Sequence, residues 1–232
     1  MALSPHTAVG QLVAEEPARA RIFEALDIDY CCGGDQTLAA ACQAHDLDPD
    51  TVVRMLDTLP LGPSASASTD WTEAPLGDLI DHIVDAHHGF LRRELPRLHR
   101  RLEKVTRAHG ADVAWLSPVA DLFTTLKHEL EDHMESEESY VFPAIRTLAQ
   151  GRVLPDGSTL DTAAVEQMVA EHDEAGTMLQ RLRNLTNDYT PPPNACSTFR
   201  ATLDGLRKLE ADMHQHVHKE NNILFPRARR LG

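Results

Sequence analysis

The sequence predicts an all-α protein: a small helical N-terminal domain followed by an up-down-up-down four-helix bundle. Three observations carry that reading. Long stretches of the 232-residue chain place apolar residues at alternating steps of three and four, the spacing of one helix face. Gly, Pro and Asn collect between those stretches, where connections belong. Ala and Leu are abundant, whereas the aromatics are limited to 6 Phe, 3 Tyr and 2 Trp.

Residues 1–59 form the predicted small domain. Two short helices are expected within residues 5–26, one on each side of Glu15-Glu16-Pro17, and two more near 36–44 and 49–58. Asp29-Tyr30-Cys31-Cys32-Gly33-Gly34 interrupts them. This segment carries ten acidic and three basic residues, a net −7 out of the chain's −14, so it has its own surface and is the place to look for a partner. Residues 60–70, beginning PLGPSASAST, hold few large apolar side chains and read as a linker. The bundle is assigned to residues 71–232.

Each bundle helix shows an apolar seam. The first is Val84, His88, Leu91, Leu95, Leu98, Leu102 and Val105; the second is Val119, Phe123, Leu126, Leu130, His133, Glu137 and Tyr140. The third is Val165, Met168, His172, Ala175, Leu179 and Leu182, and the fourth Leu209, Met213, His216, Glu220 and Ile223. Breaks at 109–118, 151–160 and 189–194 separate them. Pro143 and Pro226 are expected to end or kink their helices beyond Glu137 and Glu220.

The seams are apolar except where they carry His or Glu, and a buried carboxylate without a partner costs several kcal/mol. The second and fourth helices share one signature, His133-x-x-x-Glu137 with Phe142-Pro143 and His216-x-x-x-Glu220 with Phe225-Pro226. A spacing of four puts both side chains on one helix face. His88 and His172 occupy matching places 45 and 44 residues before His133 and His216, so the bundle reads as a duplicated hairpin. A lone His-x-x-x-Glu is ordinarily a solvated pair. Two copies with matching punctuation, plus two more seam histidines, point instead to a pair of divalent ions with bridging carboxylates and open positions. Imidazole and carboxylate without thiolate favour iron, with manganese and zinc as rivals.

The chain has 13 histidines, and the rest carry weaker signals. His87 competes with His88 for the same place. His99 shares the seam face but sits ~16 Å along the axis, too far to join the same ions. His214 and His218 are turned away from His216 and are expected at the surface. His82, His109 and His128 read as structural or exposed, with His109 open to a role in its loop.

Adjacent Cys31 and Cys32 cannot form an unstrained disulfide. Two thiols beside Gly33-Gly34, at a possible helix start, suit redox exchange, sulfur transfer or shared ligation of a metal; the bland alternative is a small buried apolar pair. Cys42 and Cys196 stand alone and read as structural. The acidic balance of 22 Lys and Arg against 36 Asp and Glu argues against nucleic acid or an anionic membrane surface as a partner. No stretch approaches the ~20 apolar residues of a membrane span and no signal-peptide pattern opens the sequence, so a soluble cytoplasmic protein with reduced thiols is expected.

The segment TAVGQLVAEEPARARIFEALDIDYCCGG resembles the N-terminal domain of the iron-sulfur cluster repair di-iron proteins, the RIC or ScdA/YtfE type. Residues 76–230 resemble their hemerythrin-like domain, with EHDEAG, TPPPNAC and ENNILFPRA as the most specific stretches. The resemblance implies a carboxylate-bridged centre of two non-haem irons. His88, His133, His172 and His216 fall on the family's histidine ligands, and Glu137 and Glu220 on its bridging carboxylates. Cys31 and Cys32 match its paired cysteines, for which thiol chemistry and metal handling have been considered. Relative to oxygen-carrying hemerythrins the set has one histidine fewer and a glutamate for an aspartate, which argues against oxygen storage.

The implied function is repair of iron-sulfur clusters damaged by oxidative or nitrosative stress, by iron donation or nitric oxide processing. Its partners are damaged iron-sulfur proteins and small ligands such as nitric oxide or oxygen, and a homodimer is compatible with it. The alternatives are a di-iron nitric oxide reductase or peroxidase, and an oxygen- or nitric oxide-sensing module.

Overall fold

The computed structural model describes residues 3–59, 69–154 and 157–231. Most of the expected linker, residues 60–68, lies outside the described residues. Among those described no strand forms, and a single bridge pairs Ala8 with Thr37. The chain divides into two compact units, residues 1–80 with 214–232, and residues 81–213.

The first unit contains α1 (Val9–Glu15), α2 (Ala20–Ala25), α3 (Leu38–Ala44) and α4 (Pro49–Asp57). Local chemistry places their ends. A 3-10 turn at Pro17–Arg19 follows Glu16, whose carboxylate accepts from the Ala18 amide, and this is the break expected at Glu15-Glu16-Pro17. Thr37 caps α3 through the Ala40 amide, and Asp48 caps α4 through the Thr51 amide with Pro49 at the first helical position. Val9, Leu12, Phe23, Leu38 and Val52 are buried between these helices. In the same unit the Arg227 guanidinium donates to the carbonyls of Trp71 (2.6 Å) and Ala74 (2.7 Å), fastening the C-terminal segment.

The second unit holds the bundle: α6 (Gly89–His109), α7 (Leu116–Ser136), α9 (Thr162–Leu185) and α10 (Ser197–Lys219) up to Met213. α5 (Leu76–His82) leads into it, α8 (Phe142–Ala149) extends α7, and α11 (Phe225–Ala228) follows α10 in the first unit. α6 packs on α7 and α7 on α9. α9 and α10 are joined by Arg183, whose guanidinium donates to both carboxylate oxygens of Glu210 at 3.0–3.2 Å. α10 and α6 approach closely at Gly205, where a Cβ would lie 2.5 Å from Leu98 Cδ2. Successive helices with short connections close a four-helix ring.

Three segments depart from regular α-helix. Ile83–His88, Glu137–Val141 and Glu220–Leu224 form π-turns. A π-turn inserts one residue into the helical count, and such turns gather at functional sites. This corrects two seam expectations. Ile83 rather than Val84 is fully buried, and Val141 is buried whereas Tyr140 is 59% exposed. The prolines do not end their helices: Pro143 and Pro226 sit in the first turns of α8 and α11, directly after a π-turn. Proline lacks the amide that would bond four residues back and crowds that carbonyl; the wider turn relieves both.

Candidate metal centre

In the second unit, His88, His133, Glu137 and His172 meet inside the helices. All are buried, Glu137 and His88 completely. His88 Nε2 lies 3.3 Å and His133 Nε2 3.4 Å from Glu137 Oε2, and His172 Nε2 lies 2.9 Å from His133 Nε2. His133, Glu137 and His172 each offer a ligand atom within 4.8 Å of the others. Glu137 is delivered by the first residue of its π-turn and His88 by the last residue of its own.

Outer partners set the ring protons. His88 Nδ1 is 2.5 Å from Glu138 Oε1, and His133 Nδ1 is 2.7 Å from Glu171 Oε2. A carboxylate at Nδ1 holds the proton there, leaving the Nε2 lone pair aimed inward. Arg92 also pairs with Glu138 at 2.9 Å. Burial alone would raise the Glu138 carboxyl, but the hydrogen bonds from Arg92 and His88 outweigh it and hold it below its usual range.

Two inward lone pairs therefore face a carboxylate of which neither oxygen receives a hydrogen bond. Neutral imidazole nitrogen and carboxylate oxygen repel at such distances, and a cation between them removes the repulsion. The residues fit a divalent metal.

The first unit supplies His216 and Glu220, with Nε2 3.0 Å from Oε1 and both side chains buried. Glu220 opens a π-turn just as Glu137 does. Their spacing, burial and local backbone repeat the His133–Glu137 arrangement.

The other histidines sort by what they touch. His87 turns to Asp212, 3.0 Å from its Nδ1, whereas His88 makes the Glu137 contact. His99 is half-buried, 3.5 Å from Thr124 Oγ1 and 3.6 Å from Glu103. His109 Nε2 lies 3.4 Å from the sulfur of exposed Cys196. His128 is exposed, as expected. His218 corrects an expectation: it is buried rather than on the surface, because the Tyr30 ring packs on it at 5.5 Å and Asn222 Nδ2 lies 3.2 Å from its Nδ1. Burial, then the Lys219 charge, push it down to about 4 despite a backbone hydrogen bond at Tyr30. His214 is half-buried at the edge of the same ring.

Cys31 and Cys32 lie in a turn organised by Asp29. Its Oδ1 accepts from the amides of Cys31 (2.9 Å) and Cys32 (3.0 Å), and Oδ2 from Gly33 (2.9 Å). No helix starts there; the next begins at Leu38. The Cys32 thiol, then burial, then Asp29 push the Cys31 thiol well above its ordinary value. Sequence reasoning missed Glu138, Glu171 and Asn222. The first two are the immediate neighbours of Glu137 and His172, and an acidic residue beside a buried ligand was the available signal.

Residues 79–228 match the hemerythrin HHE cation binding domain, and residues 6–60 match the ScdA N-terminal domain, described as a domain of unknown function (DUF542). The chain is 38% identical over 220 residues to the iron-sulfur cluster repair protein YtfE of Salmonella paratyphi B, covering 95% of each chain. The YtfE proteins of Salmonella newport and Salmonella heidelberg match to the same extent. The chain belongs to the YtfE family of iron-sulfur cluster repair proteins. The cation-binding match spans His88, His133, Glu137, His172, His216 and Glu220 in one domain. Among the described residues no helix is long and apolar enough to cross a membrane.

Proposed function

We propose that this chain is a di-iron protein that restores damaged iron-sulfur clusters in the cytoplasm. The observation that carries the reading is Glu137: a fully buried carboxylate with two histidine nitrogens turned toward it and no hydrogen-bond donor on either oxygen. The cation-binding family match and the naming of the Salmonella relatives as iron-sulfur cluster repair proteins support it.

His88, His133, His172 and His216 would hold the two irons through imidazole nitrogen, together with the carboxylates of Glu137 and Glu220. Iron held by these residues would supply small-ligand chemistry and a source of metal for a damaged cluster. Glu138 and Glu171 keep the protons of His88 and His133 on Nδ1. The π-turns aim Glu137 and Glu220 without ending the helices. Phe142 is buried and stacks on the His88 ring at 5.8 Å, giving the site an apolar wall. We also place domain boundaries at residues 1–59, 60–70 and 71–232.

Anaerobic purification followed by metal counting and a repair assay tests this. Two irons per chain are expected, with recovery of an inactivated cluster-dependent dehydratase in proportion to the iron carried. Trace iron in the wild type, unchanged iron in the His133→Ala, Glu220→Ala double variant, or equal recovery with iron-free protein would overturn it.

A further inference from the structure

The Asp29 turn gathers three donor groups in the first unit, apart from the histidines and glutamates. Ligand atoms of Asp29, Cys31 and Cys32 lie within 4.8 Å of one another, and Cys31 Sγ is 3.1 Å from Asp29 Oδ1. Cys31 is buried, Cys32 half-buried and Asp29 exposed, so the group has a protein wall behind it and an approach from solvent. Asp29 accepts from three backbone amides and from the Cys31 thiol, and loss of the thiol proton on metal binding frees that last place on the carboxylate.

The turn is also held from behind. Asn222 Nδ2 lies 3.2 Å from the carbonyl oxygen of Tyr30 and 3.0 Å from that of Cys31. Its side-chain oxygen fills the space where a Cβ on Gly10 or Gly34 would sit, at 2.3 and 2.2 Å. The Tyr30 hydroxyl accepts from Gln215 Nε2 at 2.7 Å and donates to Glu24 at 2.9 Å. Preformed donors on a fixed backbone distinguish a binding site from a chance cluster.

We propose that Asp29, Cys31 and Cys32 form a separate site for a thiophilic divalent cation of the ferrous iron or zinc class, preshaped by Asn222. Two thiolates and one carboxylate give a mixed sulfur and oxygen set with room for an outside ligand. Binding displaces one proton from each thiol to solvent and changes no oxidation state. The site stands independently of the di-iron reading, since its donors and its optical signature are different.

Cobalt(II) is the probe, added anaerobically to the full chain with a reductant that is not a thiol. Histidine and carboxylate ligation gives no thiolate-to-cobalt charge-transfer band, so a near-ultraviolet band of that type reports a cysteine ligand, and the cysteine variants say which. The band is expected in the wild type and in Cys196→Ser, and absent in Cys32→Ser. Asp29→Asn retains an acceptor for the backbone amides and is expected to weaken cobalt binding about tenfold or more. Cadmium should also slow alkylation of Cys32 in the wild type, a measurement that needs no variant. No band in the wild type, a band that survives in the Cys31→Ser, Cys32→Ser double variant, or an alkylation rate unchanged by cadmium would each overturn the proposal.

Discussion

The signature His-x-x-x-Glu-x-x-x-x-Phe-Pro occurs twice, and the two copies differ in the residues directly after the glutamate. Both glutamates are buried, open a π-turn and precede a proline that begins the next helical segment. After Glu137 comes Glu138, which turns back to the Nδ1 of His88 and to Arg92. After Glu220 come Asn221 and Asn222, and Asn222 turns to the carbonyls of Tyr30 and Cys31. The repeated residues are the proposed metal donors, while Glu138 and Asn222, later in each π-turn, are spent on the local surroundings. One copy orients a neighbouring histidine; the other braces the thiol turn.

The largest effect that tests this contrast comes from the shared part. Glu137→Gln keeps the size and burial of the side chain but replaces the carboxylate by an amide, a poorer metal donor. On the di-iron reading it should remove most of the bound metal, by metal analysis, yet leave the metal-free protein at least as stable in urea melts, since burying an amide costs less than burying an unpaired carboxylate. Loss of stability together with retained iron would show that Glu137 is a structural hydrogen-bonding group and not a ligand.

Next come the groups that orient the rings. Glu138→Ala and Glu171→Ala leave every proposed donor in place but remove the acceptors for the Nδ1 protons of His88 and His133. Each should weaken metal affinity about 10- to 100-fold in a chelator competition. Asn222→Ala, in the other copy, should leave that affinity within a factor of about two, on the usual scale for surroundings that do not touch the donors. Equal losses in all three would erase the distinction between the copies.

The brace can be tested through its glycines. Gly34 is required by close approach, since an added Cβ meets the Asn222 carboxamide at 2.2 Å. Gly34→Ala should cost about 1–3 kcal/mol by overpacking. Combining it with Asn222→Ala should restore part of that loss in a double-mutant cycle. Strict additivity would mean that the contact carries no energy.

These contrasts also explain what was legible beforehand. The four seams, the six ligand candidates and the breaks at 109–118 and 189–194 follow from periodicity, because α9 and most of α6, α7 and α10 are regular. In α9 every seam residue from Val165 to Leu182 is buried as expected, and α9 is the bundle helix without a π-turn. Errors cluster where the count slips by one residue, at Val84 and Tyr140. His218 was misplaced for a different reason: helical spacing says which way it turns from His216, but not that the Tyr30 turn covers that direction. Asn222 was invisible for the same cause, its partners lying some 190 residues earlier in the chain.

The smallest effect separates a π-turn from a regular helix at Tyr140. Were α7 to continue with its ordinary period, Tyr140 and Val141, three and four residues after Glu137, would border the seam on either side. The inserted residue of the π-turn shifts this, leaving Tyr140 59% exposed and Val141 2% exposed. Tyr140→Ser should therefore change stability by no more than about 0.5 kcal/mol, the usual range for an exposed site. Val141→Ala should cost about 1–3 kcal/mol for the cavity it leaves. The order of the two in chemical denaturation reads the local backbone directly. A large loss at Tyr140 with a small one at Val141 would mean that Glu137 is delivered by a regular helix, and that the proline at 143 must then be accommodated by a bend.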